Sequence, residues 1–256
     1  MIPRIFLYAT EKFGKTTMAA NAPDPVIFMA KGETGYMTLL SAGSIPAIPA
    51  IQVDAWPELM GYLEDLAADT QGRKTMILDA IGGFEALCRQ YVCSTRFGGD
   101  WGENGFAGFQ RGNEMVSTEW LAMLDKLDRL NSQGLIIIII GHATVKTMSP
   151  PDGAAFDRYQ PDVHQKVLNP TARWADAILF GKFYSMVDTV KSTGNIAKDK
   201  GKGIGGTTRV IYTQSRDAVL AGGRYRGMAP EFSLPDDPAA MWSVVWDQIT
   251  KCKEIK

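Results

Sequence analysis

The chain has 256 residues, 45% of them hydrophobic, and its 27 Lys and Arg against 28 Asp and Glu leave a net charge of −1. That apolar share suffices for a full core and excludes a disordered chain, while the balanced charge excludes a global positive field, so any contact with nucleic acid has to be local. Cys88, Cys93, Cys252 and two histidines show no ligand spacing, which argues against a zinc site and fits a reducing compartment.

Ile5–Tyr8 is an apolar run of strand length and predicts the first strand. Residues 9–16 follow as Ala-Thr-Glu-Lys-Phe-Gly-Lys-Thr, and Thr16–Asn21 suits the start of a helix. Strand, loop and helix in this order have the layout of a phosphate-binding P-loop with alanine at the first glycine. In such a loop, backbone N–H groups turn inward around phosphate oxygens and the lysine reaches the β- and γ-phosphates. The hydroxyl ligates magnesium, and the helix points its positive end at the anion. Thr10, Glu11, Lys12, Phe13, Gly14, Lys15, Thr16 and Thr17 are the candidate nucleotide-binding residues. A methyl at position 9 is harmless at negative φ and strained at positive φ, so Ala9 bears on turnover more than on binding.

Val26–Ala30 predicts a second strand, after which Glu33 is a candidate for orienting an attacking water; the other reading is an exposed carboxylate at a helix start. Ala50–Val53 predicts a third strand and Trp56–Ala68 a helix. Thr75–Leu78 predicts a strand that delivers Asp79, a candidate magnesium ligand that can also cap the next helix. Residues 97–112 are rich in glycine and aromatics and predict a long surface loop, in which Trp101, Phe106 and Phe109 either stack on bases or pack the loop down. Val116–Leu130 has the apolar spacing of a core helix.

Leu135–Ile140 is a continuous apolar run, β-branched from Ile136 on, between Gly134 and Gly141, too short to cross a bilayer, and predicts a central strand buried on both faces. His142 follows at the strand's carboxyl end, where ligands of open α/β sheets gather; it is either a γ-phosphate sensor or an ordinary hydrogen-bonded histidine. His164 has no such setting. Residues 147–161 predict an irregular exposed stretch with a turn at Asp152-Gly153. Ala177–Phe180 predicts another strand. Beyond it, two β-rich pieces, 183–190 and 209–213, flank a glycine- and lysine-rich segment, 191–208, expected to be a flexible basic hairpin tip. Lys198, Lys200, Lys202 and Arg209 either follow a nucleic-acid backbone, reach a neighbouring subunit's phosphate as a trans finger, or solvate the loop. Ala239–Ile249 carries one apolar stripe and predicts a closing helix.

The alternation predicts one α/β domain over residues 1–256, a mostly parallel sheet flanked by helices, with a late β-hairpin and a C-terminal helix. The N-terminus lacks a signal layout, and the expectation is a soluble cytoplasmic protein without a membrane partner. Lys15, Glu33 and His142 form the candidate catalytic set, with Thr16 and Asp79 for the metal.

The segments IFLYATEKFGKTTMAANAPDPVIFMAKGETG, TMILDAIGGFE, IIIIIGHATVKTMSPPDGAAFDRYQPDVHQKV, RWADAILFGKFY and TRVIYTQSRDAVLAGGRY together resemble the RecA-like P-loop ATPases of bacteriophages. These are AAA-type phage nucleotide-binding proteins, some of them in the single-strand annealing group of recombinases. The resemblance runs from Met1 to about Tyr225. It implies a RecA-like core that binds ATP and magnesium, assembles into a homo-oligomeric ring or filament, and acts on single-stranded DNA in phage recombination or replication within the bacterial host, with a phage single-strand-binding protein as a further partner. Residues 9–17 match the family's P-loop, Asp79 its Walker B aspartate, Glu33 its acidic residue after the second strand and His142 its strand-end histidine. Ala9 departs from the family glycine, which leaves a second reading, a nucleotide-dependent assembly module with negligible turnover. A small-molecule kinase would need an arginine-bearing lid, for which the sequence offers no segment.

Overall fold

A computed structural model describes residues 2–190 and 200–252. The elements in chain order are β1 (Arg4–Ala9), α1 (Lys15–Ala20), β2 (Pro25–Ala30), α2 (Gly35–Ser41), β3 (Ala50–Val53), α3 (Trp56–Ala68), β4 (Thr75–Asp79) and α4 (Ile81–Phe97). A short 3-10 turn at Gly108–Gln110 leads into α5 (Arg111–Ser132), β5 (Ile136–Met148), β6 (Phe156–Pro161), α6 (Gln165–Trp174), β7 (Ala177–Val190), β8 (Lys200–Tyr212), β9 (Gly222–Gly223), β10 (Glu231–Leu234) and α7 (Pro238–Lys251).

The strands form a mixed sheet in the order β10-β8-β7-β1-β5-β4-β2-β3, with β6 paired to β5 and β9 to β7. β1, β2, β3, β4, β5 and β7 run parallel. Parallel neighbours need crossover connections, here made largely by helices, and those helices cover both faces. The isoleucine run divides between two cores accordingly: Ile137 and Ile139 join one, Ile136, Ile138 and Ile140 the other. The first core packs against α3, α4, α5 and α6, with Trp56 stacked on Trp120 at 5.7 Å. The second packs against α1 and α7 through Met18, Met241, Trp242, Val245 and Ile249.

The α/β class and the central position of β5, between β1 and β4, agree with the sequence. Four local expectations change. β5 does not stop at Ile140 but continues to Met148, and β6 returns beside it, so the stretch expected to be irregular is a hairpin whose turn spans 149–155. Residues 98–107 fold tightly: Phe106 is buried against Phe97 and Trp101 with Arg89 over its ring at 4.9 Å, whereas Phe109 is exposed. The expected basic tip is shorter than its composition suggested, because β8 begins at Lys200 and pairs with β7. Residues 191–199, including Lys198, lie outside the described residues. Finally α6, which carries Pro170 inside it, uses His164 as its N-cap; the imidazole Nδ1 accepts from the Lys166 N–H at 3.2 Å.

Candidate functional site

β1 delivers the loop. Ala9 is fully buried in the sheet, level with His142 on β5 and Gly181 on β7, and is not among the residues with positive φ. Its methyl therefore meets no backbone strain. The left-handed residues of the loop are Lys12 (φ 56°) and Gly14 (φ 101°), and only glycine takes the second conformation freely. Phe13 tucks its ring inward, where it packs on Phe183 at 6.0 Å. The ring lies so close to Gly181 that a Cβ there would stand 2.5 Å from it. The Thr10 N–H donates to the Gly181 carbonyl at 3.0 Å, fixing the loop's first residue to β7.

Lys15 opens α1 and is buried; its Nζ donates to the carbonyls of Ala9 and Thr10, each at 3.2 Å. Burial lowers its pKa, opposed by the negative charges of Asp79, Glu33 and Glu11. Thr16 Oγ1 donates to Asp79 Oδ2 at 2.7 Å, joining the start of α1 to the end of β4. Asp79 is buried, which raises its pKa, while the Thr16 hydroxyl pulls it down. The Asp79–Ala80 peptide is cis.

Glu33 follows β2 through Gly32, whose φ is +89°. Its Oε1 stands 3.8 Å from Nε2 of His142, longer than a hydrogen bond but close enough for charge attraction whenever the imidazole carries a proton. That imidazole is the main influence holding Glu33 below the usual carboxylate range, with partial burial working against it and Lys15 adding to it. Because β5 lies between β1 and β4, His142 emerges between the P-loop and Asp79.

Lys12, Phe13, Gly14, Lys15, Thr16, Thr17, Glu33, Asp79 and His142 line one cavity of about 450 Å³. Thr10 and Glu11, expected among the binding residues, do not line it; the Thr10 carbonyl accepts from Lys15, and exposed Glu11 acts on Lys15 only through its charge. Gly35, Thr38 and Leu39 of α2 complete the wall, together with Arg209. Sequence reasoning missed the α2 residues, since a seven-residue helix without a side-chain cap gives little signal. Arg209 donates from Nε to the Phe13 carbonyl at 2.8 Å, on its own chain's loop. Lys200 and Lys202 stand farther along the hairpin, level with Val190 and Asp188. A second cavity of similar volume, bounded by Thr213, Tyr225 and Met228, lies by Ala177 at the amino end of β7 and contains none of these groups.

On the sheet face opposite Phe13, aromatic rings and cations alternate. Tyr159 stacks on Phe180 at 5.0 Å and Phe180 on Tyr212 at 6.0 Å. Lys182 Nζ lies 5.9 Å from the Tyr159 ring and 5.4 Å from that of Tyr212, Arg216 covers Tyr212 at 5.4 Å, and Tyr184 is 49% exposed.

A buried lysine and left-handed glycine at the carboxyl end of a parallel strand, with a hydroxyl and an acid meeting beside them, define a P-loop nucleotide-binding domain. Residues 2–225 match the AAA domain family, and the chain belongs to it, a family of nucleotide-binding ATPases. No curated protein matches the chain.

Proposed function

We propose that the protein is a magnesium-dependent ATPase that acts on single-stranded DNA, in the recombination or replication of a bacteriophage, as a homo-oligomer. The observation that carries the nucleotide part is the convergence of Lys15, Thr16, Asp79, Glu33 and His142 on one cavity at the P-loop.

The residues suit the substrate and the metal. Gly14 holds the backbone turn that an amide cradle needs, and Lys15 rests on two carbonyls that a phosphate oxygen outcompetes as a partner for a cation. Thr16 and Asp79 would hold magnesium, whose charge offsets that of the phosphates; both offer the oxygen ligands this hard cation requires. Glu33, whose pKa His142 lowers, accepts a proton from water as the water oxygen bonds to the γ-phosphorus and the bond to the β,γ-bridging oxygen breaks, leaving ADP and phosphate. His142 begins the polar half of β5, so a change at Glu33 passes into the β5–β6 hairpin and its Tyr159.

DNA enters the reading through the resemblance and through the face on which exposed Tyr184 and half-buried Tyr159 stand with Lys182 and Arg216, over the buried rings of Phe180 and Tyr212. Rings that stack on bases beside cations that meet phosphates are the means by which single strands are held without sequence preference. In a chain of net charge −1, such a patch supplies the local attraction. The alternative, binding without turnover, drew on Ala9, which here sits unstrained in a strand.

Phosphate release measured with and without single-stranded DNA tests the proposal. DNA should raise the rate, and Glu33→Gln should abolish turnover while nucleotide still binds. Equal, negligible release in the wild type under both conditions would leave only the assembly reading.

A further inference from the structure

We infer that Arg209 is a positioning residue of the P-loop that works in cis. The inference rests on the nucleotide-binding reading above and adds to it the group that sets the loop's shape.

Arg209 stands on β8 opposite Phe183 of β7, and its guanidinium is engaged on three sides within its own chain. Nε donates to the Phe13 carbonyl at 2.8 Å, Nη1 meets Asp236 at 3.3 Å, and the plane lies 5.4 Å from the Phe183 ring. It also lines the nucleotide cavity, with Nε 3.8 Å from where a Cβ on Gly14 would stand. Among the described residues, Nη2 has no hydrogen-bond partner.

The contact matters because of which carbonyl it holds. The carbonyl of Phe13 and the N–H of Gly14 belong to one planar trans peptide and point in opposite directions. Holding the carbonyl toward β8 turns the Gly14 N–H the other way, and a loop of this kind binds phosphate through such amides. The turn involved lies between the two left-handed residues, Lys12 and Gly14, where the backbone would otherwise have the most freedom to rotate. The Phe13 ring, trapped between Gly181 and Phe183, fixes the same residue from its other side. All of these contacts are made within one chain, which is what favours a role in cis over one toward a neighbouring subunit's phosphate.

The test uses the full chain with ATP and magnesium and compares Arg209→Met with Arg209→Lys. Methionine keeps the packing on Phe183 without a donor; lysine restores one donor for the Phe13 carbonyl. The methionine variant should bind ATP about tenfold more weakly, the scale of one lost charge-assisted hydrogen bond, with KM affected more than kcat, and lysine should recover most of that loss. Mixing Arg209→Met with Lys15→Ala chains should give no phosphate release beyond the sum of the two alone. The inference is overturned if methionine binds ATP as the wild type does, if lysine is no better than methionine, or if the mixture regains activity, which would make the arginine a trans finger. Undiminished ATP binding by Lys15→Ala alone would instead overturn the nucleotide reading beneath it.

Discussion

Glu33 and His142 lie on different strand ends and meet only because β5 is inserted between β1 and β4. The imidazole lowers the Glu33 pKa, and burial, which opposes it, remains when the imidazole is removed. A base of this kind works above its pKa and fails as pH falls through it. His142→Ala should therefore move the acid limb of the phosphate-release profile to higher pH, and an unmoved limb would detach His142 from Glu33. The same scale explains Ala9: its methyl packs in the core on the face of β1 that carries Ile5 and Leu7, at a φ that is not positive, so the departure from the motif strains nothing. Thr16 was legible from the Gly-Lys-Thr of the loop and Asp79 from the apolar run before it, but their direct hydrogen bond depends on sheet order, which no local pattern encodes.

Phe13 and Gly181 show how an element constrains the loop it supports. A methyl on Gly181 would collide with the Phe13 ring, so Gly181→Ala should cost about 1–3 kcal/mol by overpacking and weaken nucleotide binding at the same time. Thermal unfolding and ATP titration of the variant check both parts; wild-type affinity would mean that Phe13 does not support the loop. Strand segments with continuous apolar runs, Val26–Ala30 and Leu135–Ile140 above all, were readable because burial on both faces leaves an unbroken pattern. The second half of β5 and the first half of β6 are largely exposed or half-buried with little apolar periodicity, and Lys200–Thr208 is rich in glycine and lysine; in both places it is pairing with the neighbouring strand of a hairpin that makes the chain extended. Pro170 broke the helical signal of α6 in the same way, although tertiary packing against α5, including Trp120 Nε1 to Thr171 Oγ1 at 2.8 Å, holds that helix in place.

Over the whole molecule, the parallel strands bring the P-loop, Asp79, Glu33 and His142 to one sheet edge, while the ring-and-cation face of β6, β7 and β8 lies against the same β1 strand through Tyr8. Among the described residues no helix is long and apolar enough to cross a membrane. With net charge near zero, DNA affinity would depend on few phosphate contacts. Lys182→Ala should weaken binding of single strands of any sequence and reduce the slope of log affinity against log salt by about 1. An unchanged slope would leave this face without a part in any DNA contact.

The most direct measurement is a calorimetric titration of ATP with magnesium into the wild type and into Lys15→Ala. The expected result is saturable binding, one nucleotide per chain, weakened about 100-fold or more in the variant, the scale of losing a buried charge-assisted contact. Equal affinity in the two proteins, or no heat of binding in the wild type at saturating nucleotide, would contradict the account.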